Sequence, residues 1–341
     1  MSRRVRHEGP PVRERDLQAR LARRLPAGRS GLLPIGDDAA ALRPGPSEVA
    51  VLTTDSLVEG IHFLRASDPR LVGAAAAAVS LSDVAAKGAR PAGIVLALLL
   101  PVGTPRRWAE TVVLGAERMG ARFGAHVIGG DTKPGPARAV ASTVIGFGRA
   151  DALGPRTQAR PGDLLVTTGD VGRGGLAARR LGPARRGDAR ALADLLRIRP
   201  RVREGAVLGP LVHAMMDTSD GLAESVRLLS AASGVRIVVE EERLPYAPGL
   251  RRAARSPSER RSLAFYGGDY ELLAALPPDR WARAHRAVVR AGGRLTRIGR
   301  VERGVGAWLR SGAREEAMPP PGWDPFRGPS APAGARGRVA V

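Results

Sequence analysis

Residues 35–62 read IGDDAAALRPGPSEVAVLTTDSLVEGIH, and the rest of the chain is organised around them. Asp37 and Asp38 follow a glycine, Asp55 follows two threonines, and both groups adjoin apolar runs. Carboxylates drawn towards a core are costly unless a cation or a set of donors meets them. The same pattern returns at Asp83 in VSLSDVAAKGA, Asp131 in VIGGDTK, and Asp217 with Asp220 in MMDTSDGL. These acids read as ligands, not as solvated charges. Magnesium prefers oxygen donors and is often held by carboxylates together with substrate phosphates.

The chain has 341 residues, 43% of them hydrophobic, which suits two domains with a core each. The run IVLALLLPV (94–102) is far below the ~18 residues of a membrane span and reads as a buried strand. The basic start MSRRVRHEGPPVRER leads into no apolar signal segment, so a cytoplasmic protein is expected. The absence of cysteine excludes disulfides, thiolate metal sites and thiol catalysis. The formal net charge is +21, yet the only lysines are Lys87 and Lys133 and every other basic side chain is arginine. With aromatics at 4% and none interleaved with the arginines, the charge reads as compositional surface and argues against nucleic acid as a partner.

Taken in order, residues 16–26 form a basic amphipathic helix and 49–55 a strand that delivers Asp55 at its end. Asp68 and Pro69 open a helix to about Gly88, with Val72, Ala76, Val79 and Asp83 on one face. An acid on that apolar stripe needs a partner, either a bound cation or Lys87 one turn later. A strand at 92–100, a helix from Thr104 to Phe123, a short strand ending at Asp131 and a strand at 139–148 follow. The turn-rich segment 150–162 marks a boundary. Beyond it come a strand at 163–170, helices after GDVGRGG and at 188–198, and a helix with Pro200 at its first position. Asp220 precedes a further helix, as a ligand or an ordinary cap, and Gly234 closes it. Strands at VRIVVEE and ELLAALP, a helix at 278–291, strands near 294–301 and 305–310, and a proline-rich tail complete the chain.

Glycine turns such as IGDD, GGDT and GDVGRGG allow close backbone approach to phosphate, but no GxxxxGK[ST] is present. His62 reads either as a phosphate contact or as a structural histidine. Trp323 reads either as a stacking platform or as an anchor for the tail.

The ordered set IGDDAA, TTDSLVEGIHF, VSLSDVAAKGARP, IGGDT, RPGD, DTSDGL, GGDYELL and GWDPF resembles the thiamine-monophosphate kinase family of the aminoimidazole ribonucleotide synthetase-like superfamily. The resemblance spans about residues 31–326. It implies a two-domain α/β (α+β) fold, with an N-terminal domain whose strands complete a barrel across a homodimer and a C-terminal α/β domain. The expected division is a basic arm and helix at 1–27, domains at 28–150 and 151–328, and a tail at 329–341. The implied activity is phosphorylation of thiamine monophosphate by ATP with several Mg2+ ions. The implied magnesium ligands are Asp38, Thr53, Thr54, Asp55, Asp83, Asp131, Asp217 and Asp220, of which Asp55, Asp131 and Asp220 are central to catalysis. Gly130, Arg156 and Ser219 are implied ATP contacts, and His62 and Trp323 are implied contacts to thiamine phosphate. Two motifs depart from the family pattern. GGDYEL stands where GGEDYEL is usual, so the acid expected on the substrate side is either absent or replaced by Asp269, and Pro325 replaces the histidine of GWDHF.

Overall fold

The computed structural model describes residues 32–33, 37–43, 45, 47–182 and 189–319. The arm and helix expected at 1–27, Trp323 and the tail lie outside the described residues. The first sheet contains β1 (Ala40–Leu42), β2 (Glu48–Val58), β3 (Arg90–Leu100), β4 (His126–Pro134) and β5 (Ala139–Arg149). Its order is β1-β2-β5-β3-β4, antiparallel except for the β3–β4 pair. Alternation along β2 turns Val49, Val51, Thr53 and Leu57 to the buried side, where α1 (Pro69–Ala86) and α2 (Arg106–Ala121) pack.

Helix α1 starts as its sequence dictates. Asp68 is the N-cap, accepting from the Arg70 N–H at 2.9 Å, and proline follows it. Its run of alanines allows burial on nearly every side. Gly73 and Gly115 permit the close crossing of α1 and α2: a Cβ on Gly73 would come within 1.8 Å of the Val112 carbonyl oxygen, and one on Gly115 within 2.3 Å of that of Arg70.

The second sheet is built from β6 (Leu164–Thr168), β7 (Ala214–Asp217), β8 (Arg236–Glu240), β9 (Leu272–Leu276), β10 (Leu295–Glu302), β11 (Gly306–Ser311) and β12 (Arg314–Ala317). The order is β12-β11-β8-β10-β6-β9-β7. Around it lie α3 (Arg173–Leu181), α4 (Ala189–Leu196), α5 (Val202–Leu208), α6 (Leu222–Ser233), α7 (Leu250–Ala253), α8 (Pro257–Ala264) and α9 (Trp281–Arg290). Strands β6 (LLVTT), β7 (AMMD) and β9 (LLAAL) are buried on both faces, which is why they show no polar–apolar alternation. One face, with Leu164, Val166, Met215, Leu272 and Ala274, joins the core that contains α1. The other, with Leu165, Met216, Leu273 and Ala275, joins a second core under α6. Helix α1 thus touches β2 and β5 of the first sheet and β7 of the second.

Several local expectations change. Asp131 lies inside β4 and not at its end, because β4 continues alongside β3 to Pro134. Pro200 precedes α5 and Arg201 is the N-cap. Gly221, with φ 94°, caps α6, so Asp220 is not its N-cap. The helix expected at 278–291 opens with a 3-10 turn, Pro278–Arg280. Among the described residues no helix is long and apolar enough to cross a membrane.

Candidate active site

The C-terminal end of α1 delivers Ser82, Asp83 and Lys87 to the junction of the two sheets. Strand parity supplies the rest. Asp217 falls two residues after Met215, on the β7 face that looks towards α1, and Thr53 falls two after Val51 on the buried face of β2. Ligand oxygens of Asp38, Asp83 and Asp217 lie within 4.8 Å of one another. The Thr53 hydroxyl donates to Asp83 Oδ2 at 2.7 Å and the Ser82 hydroxyl to Asp217 Oδ2 at 2.7 Å. Ser219 Oγ donates to Asp217 Oδ1 at 2.9 Å.

Burial pushes the Asp83 carboxyl well above the usual carboxylate range, and the charges of Asp55, Asp217 and Asp38 push the same way. Burial, then Asp38, raises Asp217 to about 7 against the bonds from Ser82 and Ser219. Burial also acts on Asp38, but Lys87 and Arg156 outweigh it and hold this carboxyl below its ordinary value. Arg156 Nη2 donates to Asp38 Oδ1, and the Lys87 ammonium is 2.7 Å from Oδ2. Burial opposes the Arg156 charge, yet Asp38 and Asp37 overcome this and raise its pKa. Crowded, desolvated carboxylates whose ionisation is resisted by their neighbours are poised for a hard cation.

Asp37 serves the scaffold. Its carboxylate accepts from its neighbour's N–H (2.8 Å), from the Arg156 N–H (3.2 Å) and from Lys87 (2.6 Å). Lys87 therefore pairs with Asp37 and Asp38, and not with Asp83 as the helical spacing allowed.

Asp55 shares the buried-side parity of Thr53, and its charge acts on Asp83. Thr54 and Asp131 lie on the opposite, open face of the first sheet. Thr54 is opposite Thr143, whose hydroxyl donates to that of Thr54 at 3.0 Å, and Asp131 is in register with exposed Ala97. Asp131 is ion-paired with Lys133 at 2.9 Å. At Gly130 a Cβ would come within 2.2 Å of the Leu96 carbonyl oxygen, so glycine is needed for strand pairing itself. His62 is half-buried and its Nδ1 accepts from the Val58 N–H at 3.1 Å, which leaves the proton of a neutral ring on Nε2.

Asp269 accepts from the N–H groups of Gly172 (2.7 Å) and Gly174 (2.9 Å) at the start of α3, and burial raises it to about 7. Both of its oxygens are thus committed to that helix end.

Sequence reasoning missed Tyr270, which follows Gly267 and Gly268 with a left-handed φ of 54°. Burial, then the charges of Asp55, Asp217, Asp220 and Asp83, raise its phenol far above the usual value, and its side chain packs against the core that contains α1. The glycine pair before it was the available signal. Ser82 was passed over because a serine inside an alanine-rich helix carries no motif.

The segments 36–149 and 160–308 match the models for the N-terminal and C-terminal domains of AIR synthase related proteins. The thiamine-monophosphate kinase of Halobacterium salinarum is 40% identical over 78% of this chain and 87% of its own length. That of Caulobacter vibrioides is 34% identical over 92% and 91%. The chain belongs to the thiamine-monophosphate kinase family. Among solved structures, the thiamine-monophosphate kinase from Stenotrophomonas maltophilia aligns with a TM-score of 0.72 at 32% identity, covering 85% of this chain and 94% of that one. AaThiL complexed with AMPPCP and TMP aligns with a TM-score of 0.76 at 27% identity, covering 91% and 99%. Within the family set, the cluster of Asp38, Asp83 and Asp217 is what distinguishes this site from a row of surface acids.

Proposed function

We propose that this family member transfers the terminal phosphoryl group of ATP to thiamine monophosphate, giving thiamine diphosphate. The observation that carries the reading is the convergence of Asp38, Asp83 and Asp217 where the two sheets meet. Similarity to kinases named for this substrate supports it.

The donor set fits magnesium: every ligand atom is a hard oxygen, and the Asp83 and Asp217 carboxyls are buried among like charges that resist their ionisation until a cation offsets them. Asp38, Asp83 and Asp217 would hold the metal with Thr53, and Asp55 and Asp220 would extend the set, while Thr54 and Asp131, on the opposite face of the sheet, would serve a further ion there. Bound there, Mg2+ would offset the negative charge of the reacting phosphates. The acceptor oxygen of a phosphate is already ionised near neutral pH, so the chain supplies no general base. Its residues act by positioning and by charge. Arg156 reaches the ATP phosphates from the rim of the cluster, with Gly130 and Ser219 as further ATP contacts. His62 is assigned to contact thiamine phosphate, as is Trp323, which lies outside the described residues. The Glu absent from GGDYEL has no substitute in Asp269, whose oxygens cap α3, and we assign that side of the substrate pocket to Tyr270.

The finer organisation belongs to the same reading. The domains divide at 150/151, within 28–150 and 151–328, and the protein works in the cytoplasm. The open face of the first sheet exposes Leu52, Val95 and Leu99, each 42–45% accessible. Large apolar side chains exposed on one sheet face suit an association surface, and a second copy of the chain docks there as a homodimer.

Incubating the protein with ATP, Mg2+ and thiamine monophosphate, then resolving products by chromatography, tests the reaction. Thiamine diphosphate appearing in step with ADP is expected, and nucleotide turnover without it would end the proposal. Asp55→Asn and Asp131→Asn should each lower turnover about a hundredfold or more while keeping the fold. Near-wild-type turnover at limiting Mg2+ would remove that residue from the ligand set.

A further inference from the structure

We infer that Lys87 is a tethered cation: its ammonium fills an oxygen cage able to hold a free monovalent ion, and from there it orients Asp38 for metal. The cage consists of Asp37 Oδ1 at 2.6 Å, Asp38 Oδ2 at 2.7 Å, the Gly154 carbonyl oxygen at 2.8 Å and the Met215 carbonyl oxygen at 3.1 Å. The Lys87 and Asp37 side chains are wholly inaccessible and that of Asp38 is 1% exposed.

An ammonium has three N–H donors, and here they go to Asp37, Gly154 and Met215. Asp38 Oδ2 is a fourth oxygen at 2.7 Å, so four oxygens surround an ammonium that has three N–H groups, and against burial the Lys87 charge holds the Asp38 carboxyl below its ordinary value. Measured to the ammonium nitrogen, the distances run from 2.6 to 3.1 Å, well above the ~2.0–2.1 Å of magnesium and at or above the upper end of the ~2.3–2.6 Å typical of calcium, and main-chain carbonyls are donors that large monovalent ions accept. The cage is cut for one positive charge of ammonium size.

Its position gives it a role. The oxygens come from the segment before β1, from the 150–162 connector and from β7, and the lysine stands at the C-cap of α1, where the helix dipole favours a cation. Lys87 and Arg156 grip the two oxygens of Asp38 from different sides. Lys87 is thus a positioning residue for Asp38, and no part of it touches substrate.

The test uses Lys87→Met in the full-length protein, which empties the cage and keeps an apolar stem. Melting of the metal-free, substrate-free protein is followed in tetramethylammonium chloride, KCl and NH4Cl at equal ionic strength. The variant should melt several degrees lower than wild type in tetramethylammonium chloride and recover saturably with K+ or NH4+, while wild type responds to none of them. Mg2+ affinity, read by calorimetry, should fall about tenfold or more in tetramethylammonium chloride and return in KCl, the range expected when the partner of a metal ligand is lost.

Equal responses of variant and wild type to K+ overturn the cage. Recovery of melting without recovery of Mg2+ affinity overturns the link to Asp38, which alone rests on the reading of that residue as a metal ligand. Because melting needs neither ATP nor thiamine monophosphate, failure of the proposed reaction would leave the first result standing. If Lys87→Met does not fold in tetramethylammonium chloride, folding in KCl supports the cage. Should it fold in neither salt, Lys87→Gln is taken through the same series, and a Gln variant without a K+ response overturns the proposal.

Discussion

Ser82 and Asp217, 135 positions apart, are joined by a 2.7 Å hydrogen bond that ties the central helix to the second sheet. Ser82 is fully buried, and Asp217 has only Ser219 as a further hydroxyl donor among the described residues. Ser82→Ala should leave the Asp217 carboxylate short of a donor and still buried, a cost of about 1–3 kcal/mol. We expect Mg2+ affinity to fall about tenfold, with the pH at which Mg2+ binding is half-lost moving upward. An unchanged affinity in a calorimetric titration at pH 7 would contradict this.

Asp83→Asn should separate stability from function. In the metal-free protein the change removes a carboxyl whose ionisation burial and the charges of Asp55, Asp217 and Asp38 oppose, while the amide oxygen can still accept from Thr53. The variant should melt higher than wild type without Mg2+, gain less on its addition, and lose about a hundredfold or more in turnover. Thermal melts with EDTA and with Mg2+ decide the point.

The pH dependence follows from Asp217, raised to about 7 in the fold. A carboxyl with a raised folded value binds more protons folded than unfolded from the ordinary carboxylate range up to about 7. It therefore lowers stability as pH rises through that window, and the loss is complete above it. Asp217→Asn should remove this slope, visible as a difference from wild type in metal-free melts between pH 5 and pH 8. Since Mg2+ requires the ionised form, its binding should release more protons at pH 6.5 than at pH 8.5, and Asp217→Asn should remove that difference. Calorimetry in two buffers of different ionisation heat measures this.

Arg201 holds Glu271, its Nε 2.6 Å from Oε2, and Thr168 donates to the same oxygen at 2.7 Å. Arg201→Met leaves that carboxylate buried without its cation and should cost about 3 kcal/mol in urea unfolding. Adding Glu271→Gln should return much of the loss. If the double variant is no more stable than the single one, the ion pair is not the source.

Leu99→Glu tests the open face of the first sheet, where Leu99 is 45% exposed. A buried carboxylate in a self-complementary interface is present twice, so the dimer should dissociate at micromolar concentration. Light scattering that gives the same mass for both proteins would place the dimer contact elsewhere or remove it.

Local signals were strong enough to reveal most elements before the structure did. Asp68 with Pro69 starts α1 by satisfying the free N–H groups of its first turn, Gly234 ends α6 in the left-handed conformation that glycine tolerates, and apolar runs mark β6 and β9. The acids stood out because carboxylates beside apolar segments demand a partner wherever the chain goes. Which partner each one finds was not legible. Asp217 lies on a strand buried on both sides, so period-two alternation carries no hydrophobic contrast and its face follows only from packing against α1. Asp131 and Thr54 are as acidic or polar as their neighbours, yet register with Ala97 and Thr143 turns them to the open face. Lys87 had Asp83 one helical turn away, but the connector and β7 bring two carbonyls, and the segment before β1 two carboxylates, around its ammonium. Caps, turns and runs depend on neighbours within a few residues, and so are written along the chain. Charge partners depend on which segments meet in space, and desolvation in the assembled core then decides which of them prevail.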